Sequence, residues 1–158
     1  MSEKYWYVAY TKYKKEREFS QAMAQKKLES YFPTDANGQP LFSCYVFVNL
    51  AESHLHLVRY LRGFSHLVSF GEEVAQVSSS QIDTMKRLTE FSQSLATKSS
   101  RLIRGDEVQI IRGPLRGTVG KLVRDQGKSK LALEVPQLNQ CILVSVPLEQ
   151  VVPLGVRV

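Results

Sequence analysis

The spacing of apolar positions changes along the chain, and the change separates two differently patterned stretches. Residues 5–10 read Tyr-Trp-Tyr-Val-Ala-Tyr, aromatic and small apolar in alternation, which predicts a first strand, and the charged run 12–18 follows at once. Between 14 and 29 there is neither Gly nor Pro, and Phe19, Ala22 and Met23 fall at i, i+3 and i+4, so a helix is expected. Pro33, Gly38 and Pro40 make residues 32–40 a loop. Residues 41–50 are almost continuously apolar and bounded by turn formers, which predicts a buried central strand. A short helix over 52–62 should stop at Gly63 and lead into a strand over 64–70. Gly71-Glu72-Glu73 reads as a hairpin turn with a return strand over 74–77. Ser80 and Asp83 have the spacing of a capping box and open a helix carrying Ile82, Met85, Leu88 and Phe91. The predicted order is β-α-β-α-β-β-α.

Residues 92–100 are small and polar with no periodic apolar face, and beyond them the period drops to two. Val108/Ile110, Leu131/Leu133/Val135 and Ile142/Val144/Val146 alternate with other residues, separated by Gly113-Pro114 and by Asp125-Gln126-Gly127. Several short strands in this length make a small barrel, which buries only about 60% of its unfolded surface and suits a docking role. The expected division is a first domain over 1–91, a linker over 92–101 and a second domain over 102–158.

Composition narrows the function. With 43% hydrophobic and 23% charged residues, the 158-residue chain has the make-up of a globular protein. Its net charge of +6 suits a polyanionic partner, and most of the excess is C-terminal: residues 1–95 carry 11 Lys and Arg against 10 Asp and Glu, residues 96–158 carry 10 against 5. Cys44 and Cys141 are far apart without CxxC spacing or flanking ligands, so neither a metal site nor a disulfide scaffold is expected. No apolar run reaches the roughly 18 residues of a membrane span, and the first apolar run is too short for a signal peptide, which makes the cytoplasm the expected compartment. A nucleophile with a nearby base, an HExxH pair, a phosphate-cradling glycine loop and clustered carboxylates are all lacking in the sequence, so an enzyme is not expected, nor any cofactor.

The run from Gly105 through Gly113-Pro114-Leu115-Arg116-Gly117 to Gly120 resembles a KOW motif. Upstream, Trp6-Tyr7-Val8-Ala9-Tyr10, Pro40-Leu41-Phe42-Ser43-Cys44-Tyr45-Val46-Phe47-Val48 and His56-Leu57-Val58-Arg59 resemble the N-terminal domain of NusG-type transcription factors. The run from Arg62-Gly63-Phe64 to Gly71 is most similar to specialised paralogues of the RfaH or polysaccharide-operon antiterminator type. The resemblance implies an α+β protein: an N-terminal α/β sandwich with an antiparallel sheet and flanking helices, plus a C-terminal SH3-like KOW β-barrel. It further implies a monomeric elongation or antitermination factor that binds RNA polymerase across the clamp helices and the DNA channel and suppresses pausing.

By the same resemblance, the polymerase-binding residues would be Tyr10, Phe42 and Tyr45 on the clamp side, with His54 and His56 reaching across the channel. Phe42 and Tyr45 cannot share a strand face unless the chain bends near Ser43-Cys44. Lys12, Lys14, Lys15, Arg17 and Arg62 match positions that meet the non-template DNA strand in relatives, and Tyr13 could stack on an unpaired base. Glu16 and Glu18 interleave with these cations and reduce their field. The longer basic hairpin that relatives insert before the Pro-Leu-Phe strand is replaced here by a short loop without Lys or Arg. For the barrel, the family implies a ribosomal small-subunit protein or the termination factor Rho as partner. Ile110, Leu115 and Arg116, with the turn residues Gly113, Pro114 and Gly117, are the expected contacts.

A KOW-type RNA-binding or ribosome-associated protein is the rival reading, in which Arg101, Arg104, Arg112, Arg116, Lys121 and Arg124 would touch RNA. RfaH-like barrels can refold into helices. Here Pro136 and Pro147 would each cost about 3 kcal/mol in a helix, and the period-two pattern fits strands directly.

Overall fold

The computed structural model describes residues 3–91, 95–100 and 105–154. Contacts gather the chain into two compact units, one of residues 1–33 and 42–82, the other of residues 34–41 and 83–158. The fold is α+β, with every strand pairing in its sheets antiparallel.

In chain order the first unit contains β1 (Lys4–Thr11), α1 (Glu16–Gln25), β2 (Glu29–Tyr31), β3 (Tyr45–Ala51), a 3₁₀ helix (Glu52–Tyr60), β4 (Phe64–Leu67), β5 (Ser69–Phe70), β6 (Glu73–Val74) and β7 (Gln76–Val77). Strand β1 is the spine: β3 pairs along one edge from Lys4↔Ala51 to Tyr10↔Tyr45, and β7 and β4 share the other. This register puts Tyr7 and Ala9 on one face with Val48 and Val46. Phe19 and Met23 of α1 and Val58 of the 3₁₀ helix join them in a buried cluster. The opposite face carries Trp6, Val8 and Phe47, which are also buried. A strand sealed on both faces must read as a continuous apolar run, as residues 6–9 do.

Several local features depart from the sequence expectation. Helix α1 stops at Gln25 rather than running to 29, because Lys27 adopts left-handed φ +60° while Leu28 N–H donates to Met23 O at 3.0 Å. This is a Schellman closure with Lys where Gly is usual, so the stop has no sequence signal, and it frees residues 29–31 for β2. The expected helix over 52–62 is a 3₁₀ helix because Leu55, Val58 and Leu61 recur every three residues and all pack on the core. The expected strand over 64–70 breaks at Val68, whose N–H donates to Val8 O, so that β5 and β6 form a separate hairpin about Gly71. Helix α2 (Ser79–Phe91) is capped by Ser78 and Gln81, not by Ser80 and Asp83. Ser78 N–H donates to Gln81 Oε1 and Gln81 N–H to Ser78 Oγ, a reciprocal box two residues upstream of the expected one. Ile82, Met85 and Leu88 of α2 are buried as expected; Phe91 is exposed.

The second unit contains β8 (Leu95–Ser99), β9 (Asp106–Ile110), β10 (Val119–Asp125), β11 (Lys128–Val135), β12 (Gln140–Ser145) and β13 (Val151–Pro153), in the sheet order β13-β9-β10-β11-β12-β8. Val123, Ala132, Cys141 and Leu143 form a core cluster of this small barrel. Residues 92–101 were expected to be linker; 95–99 instead form β8, paired with β12 from Gln140↔Ser99 to Val144↔Leu95. An edge strand recruited by backbone hydrogen bonds needs no alternating side-chain pattern, which is why composition hid it. The rest of that segment lies outside the described residues.

Gly120 lets β10 approach β11 closely. A Cβ there would sit 2.6 Å from the Ala132 carbonyl oxygen, against backbone that cannot swing aside. Gly120→Ala should therefore lose about 1–3 kcal/mol, read as a lower urea midpoint for the barrel transition of the full chain.

Candidate functional site

The face that buries Trp6, Val8 and Phe47 opens at one end of the sheet. There Tyr10 and Tyr45 are half-buried partners across β1 and β3, with ring centroids 5.2 Å apart in an edge-to-face arrangement. On the other side of Tyr10, the exposed His66 of β4 stacks at 5.0 Å and an interplanar angle of 29°. Three rings from three adjacent strands thus stand in one row. Burial first, then the neighbouring Tyr10 and Cys44, raises the Tyr45 phenol above its usual pKa, so Tyr45 presents a neutral phenol to the row at physiological pH.

Position 44 sets this row. Cys44 has φ +72°, its carbonyl accepts from Thr11 N–H at 2.7 Å, and Tyr45 N–H reaches back to Phe42 O at 3.2 Å. The chain therefore turns at 42–45 and β3 begins only at Tyr45. Cys44 N–H donates to Glu16 Oε2 at 2.8 Å, and that carboxylate is buried. Phe42 was expected in the exposed patch; the turn takes it out of strand register, and it is only 1% exposed. His66 was missed because only the β1–β4 register brings it to Tyr10. His54 and His56 are exposed on the 3₁₀ helix, which follows the end of β3 opposite Tyr45, about 20 Å along the strand.

A second feature is a cleft of about 410 Å³ lined by Lys12, Lys15, Glu18, Arg59, Tyr60, Arg62 and Gly63 among others. Gly63 makes it possible. Its carbonyl accepts from Lys12 N–H at 2.8 Å, its φ is +83°, and a Cβ would lie 3.0 Å from that of Lys15. Of the cations expected to act together, Lys12, Lys15 and Arg62 are assembled here. Lys14 lies over the Tyr13 ring at 5.4 Å, and Arg17 over the Phe32 ring at 5.5 Å, away from this lining. Tyr13 is 74% exposed. Arg59 and Tyr60, the latter 87% exposed, were missed because the 3₁₀ segment was read for His54, His56 and its family resemblance and not for its other charged and aromatic side chains. Their signal was an aromatic residue set between two arginines in Arg59-Tyr60-Leu61-Arg62. Glu16 does not dilute this field as expected, since its carboxylate is turned to Cys44; Glu18 does.

In the second unit, Gly113 and Gly117 have φ +85° and +92°, and Gly117 N–H donates to Ile110 O at 2.8 Å, closing the loop after β9. Pro114 and Arg116 are exposed at its tip. Ile110 and Leu115, expected as exposed contacts, are 1% and 8% exposed, because their strand and loop positions turn them inward. Arg112 is exposed, Lys121 pairs with Glu134 at 2.7 Å, and Arg124 donates to Gly127 O. Arg101 and Arg104 lie outside the described residues. Among the described residues no group of three His, Cys, Asp or Glu is placed to hold a metal ion. Both cysteines are free and buried, and burial first, then Glu134, raises the Cys141 thiol. No helix among the described residues is long and apolar enough to cross a membrane.

A sheet with an aromatic row at one end, followed by a small antiparallel barrel, is a two-module build. Residues 4–86 match the NusG family, described as transcription termination factor nusG, and this is more than half of the chain. The chain belongs to the NusG family of transcription factors. The fold is similar to that of a solved structure reported as domain interaction in Thermotoga maritima NusG, with TM-score 0.63 and 19% identity over 97% of this chain and 98% of that one. A chain of the MjSpt4:Spt5 complex, conformation B, aligns with TM-score 0.37 and 20% identity over 97% of this chain and 99% of that one. No curated protein sequence matches.

Glu16→Ala would leave the Cys44 amide buried without its acceptor. The expected cost is about 1–3 kcal/mol in urea unfolding, with most of it recovered in Glu16→Gln, which keeps an oxygen for the same bond.

Proposed function

We propose that this chain is a transcription elongation and antitermination factor that seats the Tyr10, Tyr45 and His66 row on the clamp helices of RNA polymerase. The observation that supports this is the row itself: three neighbouring rings, partly open to solvent, at one end of a face whose Trp6, Val8 and Phe47 are buried. Aromatic side chains of this kind supply large contact area at low entropic cost and are frequent anchors of protein interfaces. His54 and His56, beyond the opposite end of β3, reach the far side of the DNA channel, and a factor touching both sides disfavours the open, paused state.

The cleft formed by Lys12, Lys15, Arg59 and Arg62 receives the exposed non-template strand, with Tyr13 and Tyr60 available to stack on its bases. The C-terminal barrel offers the exposed Gly113-Pro114 tip with Arg116 and Gly117 to a protein partner, a ribosomal small-subunit protein or Rho. On this reading the protein acts in the cytoplasm as a specialised paralogue that binds rather than catalyses.

Tyr10→Ala and Tyr45→Ala should each weaken binding to core polymerase by about 30-fold, the loss expected for an interface anchor worth about 2 kcal/mol. Phe42→Ala is the contrast, because it should lower stability by about 3–5 kcal/mol and leave the affinity of the folded fraction unchanged. Surface-immobilised core polymerase titrated with each purified variant measures both, and unchanged affinity in both tyrosine variants would remove the clamp contact from this reading.

A further inference from the structure

Among its cations the cleft beside β4 holds one carboxylate, and that carboxylate is shared. Glu18 Oε2 lies 3.3 Å from Lys15 Nζ and Oε1 lies 3.6 Å from Arg62 Nη1. One anionic group joining two cations through two oxygens is also how a nucleic-acid phosphate is held. Glu18 is not what assembles the cations. The Lys12–Gly63 hydrogen bond, the close packing of Gly63 on Lys15 and the Phe19–Phe64 ring contact at 6.0 Å fix both sides of the cleft without it. The three charged side chains are 37%, 52% and 83% exposed, so their ion pairs are of the weak, solvent-screened kind that exchanges readily.

We propose that Glu18 is a built-in stand-in for phosphate: its carboxylate occupies the position between Lys15 and Arg62 that a phosphate of a single-stranded nucleic acid takes, and strand binding exchanges one for the other. The proposal rests on the reading of this cleft as a strand-binding site. Its consequence is selectivity. A strand must displace the internal anion, so arbitrary polyanions are held poorly, and only one presented with additional contacts, as at an elongation complex, is retained.

Fluorescence anisotropy of a labelled, mixed-sequence single-stranded DNA of about 12 nucleotides tests this with the full chain. Glu18→Gln should tighten binding about fivefold at low salt, the effect of removing one repulsive unit charge at contact distance in water. The gain should shrink as salt screens that charge, while the number of phosphates held stays the same with or without Glu18. Adding Arg62→Gln to that variant should cancel the gain. Glu29→Gln, on β2 at the opposite sheet edge from β4, controls for net charge and should do much less. An unchanged or weakened affinity in Glu18→Gln, or an equal gain in Glu29→Gln, overturns the proposal. Lys12→Gln and Arg59→Gln separate the two levels: if they weaken binding while Glu18→Gln does nothing, the cleft holds the strand without the exchange. If they leave binding unchanged, the strand-binding reading fails and the proposal with it.

Discussion

Strand β1 is paired along both edges and buried on both faces for most of its length, and the placement of the aromatic row follows from that pairing. Its backbone groups are satisfied by β3 on one side and by β7 and β4 on the other, so its register is fixed at many points. A slip of one residue would carry Tyr7 and Ala9 out of the cluster that holds Phe19 and Met23. The same register stands Tyr10 between Tyr45 and His66. The aromatic row is therefore the edge of a packed sheet, with ring positions set by strands rather than by loops, and that rigidity lowers the entropic cost of a surface that has to hold a partner.

Two glutamates separated by a single residue serve opposite ends. Glu16, at the start of α1, is buried and anchors the amide of a residue in left-handed conformation, so that β3 can begin at Tyr45. Glu18, half a turn away on the helix, points into the cleft and shares its charge between Lys15 and Arg62. Helical geometry alone separates them, since positions i and i+2 face roughly opposite ways. Charge counting along the sequence treats the two as equivalent. One of them shapes the aromatic row, and the other faces the cations.

The second unit reaches its small core by closing tight turns. Gln126 and Gly127 both have positive φ and join β10 to β11 directly after Asp125↔Lys128, while the Gly113 and Gly117 conformations fold the longer connection back onto Ile110. Strand β12 is buried on both faces through Cys141, Ile142, Leu143 and Val144, a denser pattern than alternation predicts. Its outer edge is covered by β8, which satisfies backbone groups that a five-stranded arrangement would leave to solvent.

Periodicity alone determined the existence of β1, α1, β3 and α2 and the strand-rich second half, because each rests on local spacing, whereas the α+β class and the grouping of Lys12, Lys15 and Arg62 came from the resemblance to the family. The turn at Gly113 and Gly117 was equally legible, since both glycines have positive φ. What only the tertiary structure decided was long-range: Lys27 and Cys44 in left-handed conformations that side-chain type does not announce, the burial of Phe42, Ile110 and Leu115, the arrival of His66 beside Tyr10, and the recruitment of β8. A side chain's type fixes its preference for water or core. Which of many apolar side chains stays at the surface depends on register, and register is settled only when distant strands pair.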